Sequence, residues 1–429
     1  MIRIQGNDIE TLKKRLLERG ETDYSAQEAA VKEIIAAVKS RGDEALFAYT
    51  KKFDKFDVNT ENFLVSEAEI EEAYANTDAQ LIAVMRESAE NIRAYHQLQK
   101  REDFELKKPG ILLRQAVRPI ARAGVYVPGG KASYPSSVLM NIIPAKVAGV
   151  GEIIMASPAD KNGKLPALTL IAAKEAGADK IFKMGGAQAV AAMAYGTDLV
   201  PRVDKITGPG NIYVALAKKQ VFGQVGIDMI AGPSEVLVIA DKTSNPRFIA
   251  ADFLSQAEHD ELAACILVTD DAAMADAVEK EIWIQAEQLS KKETVFKSLE
   301  NYGTIVITKD LAEAAAVSDR IAPEHLELCI DGFEALLPLI HNAGSIFLGQ
   351  YSPEPLGDYF AGANHVLPTN GTARFSSPLS VDDFIKKSSH LYYDKEAFRA
   401  AYKKVQRFAE AEGLTAHARS ASIRFEEEP

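Results

Sequence analysis

The chain has 429 residues, 47% of them hydrophobic, with a formal net charge of −12. That length allows about three structural units and a sizeable core. The acidic balance and the lack of any Lys/Arg cluster exclude a general nucleic-acid binder and argue against an anionic membrane surface.

In chain order, the N-terminal MIRIQGNDIETLKKRL lacks the apolar core and small-residue cleavage site of a secretory leader. From Ser25 to about Lys100 the pattern is mostly helical. Gly42 punctuates it, and Asn76-Thr77-Asp78 offers a cap. A β-like stretch follows at Ile111 to Pro119. From Ala121 the grammar changes. Ala123 to Val127 reads as a strand and Ser136 to Ala148 as a helix capped by Gly149; Glu152 to Ala156 reads as the next strand. A helix near Leu165 to Ala176, Gly177 and a strand at Lys180 to Lys183 repeat the unit; such repetition predicts right-handed βαβ crossovers on a parallel sheet. The apolar stretch near Val138 to Ala156 is broken by Lys146 and Glu152, so no segment is expected to span a bilayer. A second α/β stretch runs from Glu235 to about Leu348, with VLVIA, AACILVTD, GTIVIT, HLELCI and SIFLG as strands. The last fifty or so residues read as polar helices without sheet grammar, such as Asp394 to Glu410. The only cysteines, Cys265 and Cys329, lie in apolar runs, which fits a reducing cytoplasm rather than a disulfide framework.

No G-x-G-x-x-G fingerprint is present. Four glycine-rich turns stand at strand-to-helix junctions instead: Val127-Pro-Gly-Gly130, Met184-Gly-Gly-Ala-Gln188, Thr207-Gly-Pro-Gly-Asn211 and Ala231-Gly-Pro-Ser234. Turns at the carboxyl ends of parallel strands are where ligands bind in such sheets, and small residues let backbone N–H groups approach a phosphate. Four in one lobe favour a nucleotide or other anionic ligand over tight-turn chemistry alone.

Among seven histidines, His96 and His341 read as surface or packing residues. His259 follows Gln256 by three positions, so a helix would place both side chains on one face, within reach of one metal or simply at a solvated end. Pro323-Glu324-His325 introduces a strand, and an adjacent carboxylate and imidazole can divide proton work between them. Asp358 and His365 share a glycine-containing loop and either ligate a metal or cap turns. His417, in the polar tail, is unremarkable alone.

Seven segments in this order, GVYVPGG, TGPGN, AGPSE, LSQAEHD, APEHLEL, GDYFAGANHVLPT and EGLTAH, resemble the histidinol dehydrogenase family over about Ser25 to Arg419. The resemblance implies two doubly wound, Rossmann-like α/β lobes of the aldehyde dehydrogenase-like kind, with a small helical appendage. Residues 1–120 with 233–378 are expected to form a first lobe carrying the metal and acid–base residues, and 121–232 a second lobe with the NAD contacts. The helical tail, 379–429, is expected to dock on the partner subunit of a homodimer. The implied activity is NAD-dependent, four-electron oxidation of L-histidinol to L-histidine through bound histidinaldehyde, in the cytoplasm. One Zn2+ per subunit would be held by Gln256, His259, Asp358 and His417, the last from the partner chain. Glu324 and His325 match the acid–base pair. Ser234, Gln256, His259, His325, Asp358, Glu412 and His417 match substrate contacts, and Tyr126, Gln188 and Asn211 match NAD contacts. A thiolate-dependent aldehyde dehydrogenase-like enzyme and a non-catalytic zinc binder are the rival readings.

Overall fold

Strands buried on both faces read as unbroken apolar runs, and Glu235–Ala240 and Ala264–Thr269 are buried at every position. They lie inside a six-stranded parallel sheet ordered Ile2–Gln5, Thr304–Ile307, Ala264–Thr269, Glu235–Ala240, His325–Leu328, Ser345–Leu348. Alternate residues of Glu235–Ala240 face opposite cores. Val236 and Val238 pack with Ile249 and Phe253 on one side, and Leu237 and Ile239 with Ala314 and Val317 on the other. The computed structural model describes residues 1–19, 24–129 and 134–426.

A second parallel sheet has five strands, ordered Lys180–Lys183, Glu152–Ser157, Arg122–Tyr126, Lys205–Thr207, Gly226–Ile227. Both sheets are wound in two directions from a central strand, as expected for doubly wound lobes. Both belong to one compact unit, residues 1–99 and 120–384.

The helices of residues 25–97 were assigned with the six-stranded sheet, and the structure places them with the other one. Ser25–Arg41 packs on the helices Gly186–Tyr195 and Ile212–Val221, and Ala79–Gln97 packs on Pro135–Ala148. Residues 63–65 extend this layer, since Val65 N–H donates to the Ile181 carbonyl and Lys183 N–H to that of Phe63. Helical periodicity reports that a face is buried, not which sheet buries it.

Residues 100–119 and 385–429 form a second compact unit. Here the expectation of a tail without strands fails: Ile385–Tyr393 is a nine-residue strand. It pairs antiparallel with Ile111–Pro119, which pairs in turn with Phe104–Lys108. Nearly all of Ile385–Tyr393 is exposed in the single chain. It therefore lacks the alternation of buried and solvated residues that marks a half-buried strand. The helices Lys395–Ala411 and Thr415–Ser422 complete the unit. Among the described residues no helix is long and apolar enough to cross a membrane.

Candidate active site

The helix Leu311–Ile321 stops at Ala322, a non-glycine residue in the left-handed region (φ 53°), and Pro323 prevents its continuation. The chain then enters the strand His325–Leu328 directly, so Glu324 and His325 sit at the amino edge of the six-stranded sheet. His325 stands in register between Val236 and Ser345. Both side chains are buried.

One neighbouring residue fixes the pair through its backbone. The Glu235 N–H donates to Glu324 Oε2 at 2.9 Å, and the Glu235 carbonyl lies 3.0 Å from His325 Nδ1. A carbonyl only accepts, so Nδ1 carries the hydrogen and Nε2 keeps its lone pair. That Nε2 is buried and has no hydrogen-bond partner. Burial pulls the imidazole down to about 4, which keeps it neutral at pH 7. Burial also pushes the Glu324 carboxyl well above the usual carboxylate range, reinforced by Glu235, Glu354 and Asp358. The Glu235 side chain is itself buried against Arg19, which also donates to the Ser234 carbonyl. Ser234, half-buried, thus leads into this strand just beside the Glu324–His325 pair.

Asp358 comes from a π-helical turn, Gly357–Ala361, a geometry found often at functional sites. Helix Ala79–Gln97 holds that turn: Ser88 Oγ donates to the Tyr359 carbonyl and Asn91 Nδ2 to that of Phe360. Burial works to raise the Asp358 carboxyl, but His365, His325 and His259 outweigh it and leave it below its ordinary value. His365 Nδ1 lies 3.1 Å from the Asp358 carbonyl and 3.6 Å from its Oδ1. Ligating atoms of His325, Glu354 and Asp358 all lie within 4.8 Å of one another. His325, Asp358 and His365 line a cavity of about 280 Å³.

Gln256 is fully buried near the end of the helix Pro246–Ala257, with both polar atoms of its amide unpartnered. The helix ends before His259, which lies in the closing turn with its N–H on the Gln256 carbonyl. Its side chain is exposed in the single chain. The orphaned buried Gln256 amide and the Asp358 carboxylate offer oxygen donors of the kind a divalent cation takes. Glu412 and His417 belong to the second unit, and both are exposed in the single chain.

Tyr126, Gln188 and Asn211 all line one cleft of about 980 Å³ at the carboxyl edge of the five-stranded sheet. Tyr126 ends the central strand, and its hydroxyl accepts from the Gly186 N–H at 3.0 Å. Asn211 caps the helix Ile212–Val221 through Oδ1. Gln188 is buried with both amide atoms unpartnered. Gly208 has φ 113°, and a Cβ there would lie 2.0 Å from the Tyr126 carbonyl, so only glycine fits this turn. Gly130 of the first glycine turn lies outside the described residues. The helices Gly186–Tyr195 and Ile212–Val221 both begin at this cleft, and helix N-termini favour anions.

Sequence reasoning missed Glu354, Glu235 and Arg19. Glu354 precedes Asp358 by four residues, a helical spacing that would have paired them. Glu235 ends the AGPSE segment, where nothing in the sequence marks it as the residue that holds the pair. The thiolate reading finds no support: both cysteines are buried, and burial raises both thiols. His96 is a packing residue, its ring between the Ile92 carbonyl and the Asn364 amide.

Two doubly wound parallel sheets, one with an anion-favouring cleft and one with an acid–imidazole site, define an α/β protein built like a dehydrogenase. The family model described as histidinol dehydrogenase matches residues 17–425. The histidinol dehydrogenase of Heliobacterium mobile is 53% identical over 96% of this chain and 96% of its own. That of Bacillus subtilis is 53% identical over 96% and 95%. The crystal structure of histidinol dehydrogenase from Elizabethkingia anophelis superposes with a TM-score of 0.88 at 40% identity, covering 92% of this chain and 91% of that one. The chain belongs to the histidinol dehydrogenase family.

Proposed function

We propose that this protein oxidises L-histidinol to L-histidine in histidine biosynthesis, using two molecules of NAD and one zinc ion per active site. The observation that carries this reading is the buried Glu324–His325 pair, held by one backbone unit beside Asp358. Removing four electrons from a primary alcohol requires two hydrides to leave. NAD, when bound in the cleft of Tyr126, Gln188 and Asn211, supplies the acceptor for each hydride. Zinc, when held by Gln256, His259, Asp358 and the partner's His417, supplies a positive charge that orients the alcohol.

The remaining work belongs to side chains. His325 Nε2 takes the hydroxyl proton as the first hydride leaves, giving the aldehyde. Glu324 takes a proton from water as that water adds to the aldehyde carbon, while His325 returns its proton to the aldehyde oxygen, giving the hydrate and a neutral imidazole again. His325 then takes a proton from the hydrate as the second hydride leaves, giving the acid. A buried, neutral imidazole and a carboxyl with raised proton affinity suit these transfers. Burial also shields the reactive aldehyde from bulk water.

A homodimer with sites shared between subunits fits the second unit. Leu391 and Phe408 of that unit are 76% and 71% exposed in the single chain, large apolar side chains that a partner subunit would cover. Ser234 and Glu412 complete the substrate contacts in this reading. A chain with this chemistry and buried free thiols suits the cytoplasm. Incubating the zinc-loaded protein with L-histidinol and excess NAD tests the proposal. It should yield two NADH per histidine, and one NADH with accumulating aldehyde, or none, contradicts it.

A further inference from the structure

The mechanism above leaves unused a buried acid in the middle of an apolar strand. Glu327 is fully buried in His325–Leu328, two residues beyond His325 and so on the same sheet face. Its two carboxyl oxygens take different partners, and Oε2 accepts from the Cys329 thiol at 3.7 Å. Oε1 accepts the Glu354 N–H at 2.8 Å, at the start of the turn that carries Asp358. The carboxyl of Asp252, on the helix Pro246–Ala257 one turn before Gln256, lies beside that of Glu327, with oxygens of the two acids within 4.8 Å. Two ionised carboxylates this close repel strongly in an apolar interior, which favours a proton held between them. Burial raises both carboxyls, Asp252 to about 6, and Glu327 well above the usual carboxylate range. Ser255, from the same helix, adds a bond from its Oγ to Glu354 Oε2 at 3.3 Å.

A leucine would fill this space without desolvating two acids. It could not make directed bonds to two other elements. We propose that Glu327 is a positioning residue for the oxidation: one carboxyl joins the helix that presents Gln256, the strand that presents His325 and the turn that presents Asp358. Its neutral acid form supplies a donor to Asp252 and an acceptor to the Glu354 N–H at once. This rests on the zinc-site reading above.

The test uses the full-length protein and three variants, measuring apo thermal unfolding, Zn2+ affinity by chelator competition, and kcat at saturating zinc. Glu327→Gln keeps one donor and one acceptor, and should stay within about threefold of the parent in affinity and kcat, whereas Glu327→Leu should lose about tenfold or more in each, the range seen when outer partners of metal ligands are removed. Glu327→Asp, too short to span both contacts, should fall with the leucine variant. If Glu327→Leu does not fold, the glutamine–aspartate comparison decides. Parent-like zinc affinity and kcat in folded Glu327→Leu or Glu327→Asp, or equal losses in Glu327→Gln, overturns the proposal. A parent protein that binds no zinc overturns the underlying site reading with it, whereas a zinc-binding parent with indifferent variants overturns the positioning role alone.

Discussion

The two parallel sheets place their polar residues at opposite ends. In the five-stranded sheet Tyr126, Gln188 and Asn211 gather at the carboxyl edge, where the strand order reverses and helices begin. In the six-stranded sheet Glu324 and His325 stand at the amino edge, where the returning helix Pro246–Ala257 ends with Gln256. Helix N-termini carry partial positive charge and helix C-termini partial negative charge. The carboxyl edge is thus suited to the phosphates of a dinucleotide, and the amino edge to a cation. The same strand–helix grammar yields two opposite electrostatic sites, according to which edge is used.

The sharpest way to break that contrast is to disable each edge in turn. At the amino edge, His325→Asn should slow both oxidations by about 10² to 10⁴, the usual worth of a positioned base. Glu324→Gln should spare alcohol oxidation and mainly slow conversion of aldehyde to acid. Rapid quench with histidinol and with histidinaldehyde separates the steps, and equal loss of alcohol oxidation in both variants contradicts the division of roles.

A smaller effect should separate the ligands. Gln256→Ala should weaken zinc by about 10 to 100-fold while leaving the KM for NAD near its parental value. Gln188→Ala should raise the KM for NAD and leave zinc affinity alone. Metal competition and steady-state kinetics on both variants test this, and any variant that moves both quantities together erases the contrast.

The smallest effect concerns Asp54, whose Oδ2 is buried and unpartnered in the carboxyl-edge cleft. Burial raises its carboxyl to about 6. An unfolded Asp titrates near ~3.9, so between about pH 4 and 6 the folded chain holds a proton that the unfolded chain has released, and stability falls as pH rises through that window. Asp54→Asn should remove this loss, raising Tm on the order of 1–2 °C at pH 8 and not at pH 4. The same shift at both pH values contradicts an origin in this carboxyl.

Much of the fold was legible because parallel strands are apolar throughout and glycines punctuate them: Lys180–Lys183 and the Gly149 and Gly177 caps stand where the pattern put them. Ile385–Tyr393 was not legible, since its partner lies far upstream and neither face is buried in the single chain. In the site, Pro323-Glu324-His325 announced itself, because proline before adjacent titratable groups is a strand entry with chemistry. Glu327 did not, although a lone acid inside LELCI is itself a signal: burying it demands a partner. Only a folded chain reveals that the partner is another acid.

In the proposed reading, the tail of a second subunit would complete the amino-edge cation site. The most direct measurement mixes two inactive variants, His417→Ala and His259→Ala, and assays purified heterodimers. Each heterodimer would hold one intact site of two, so roughly half of parental activity should return. Verified heterodimers that stay inactive contradict the account.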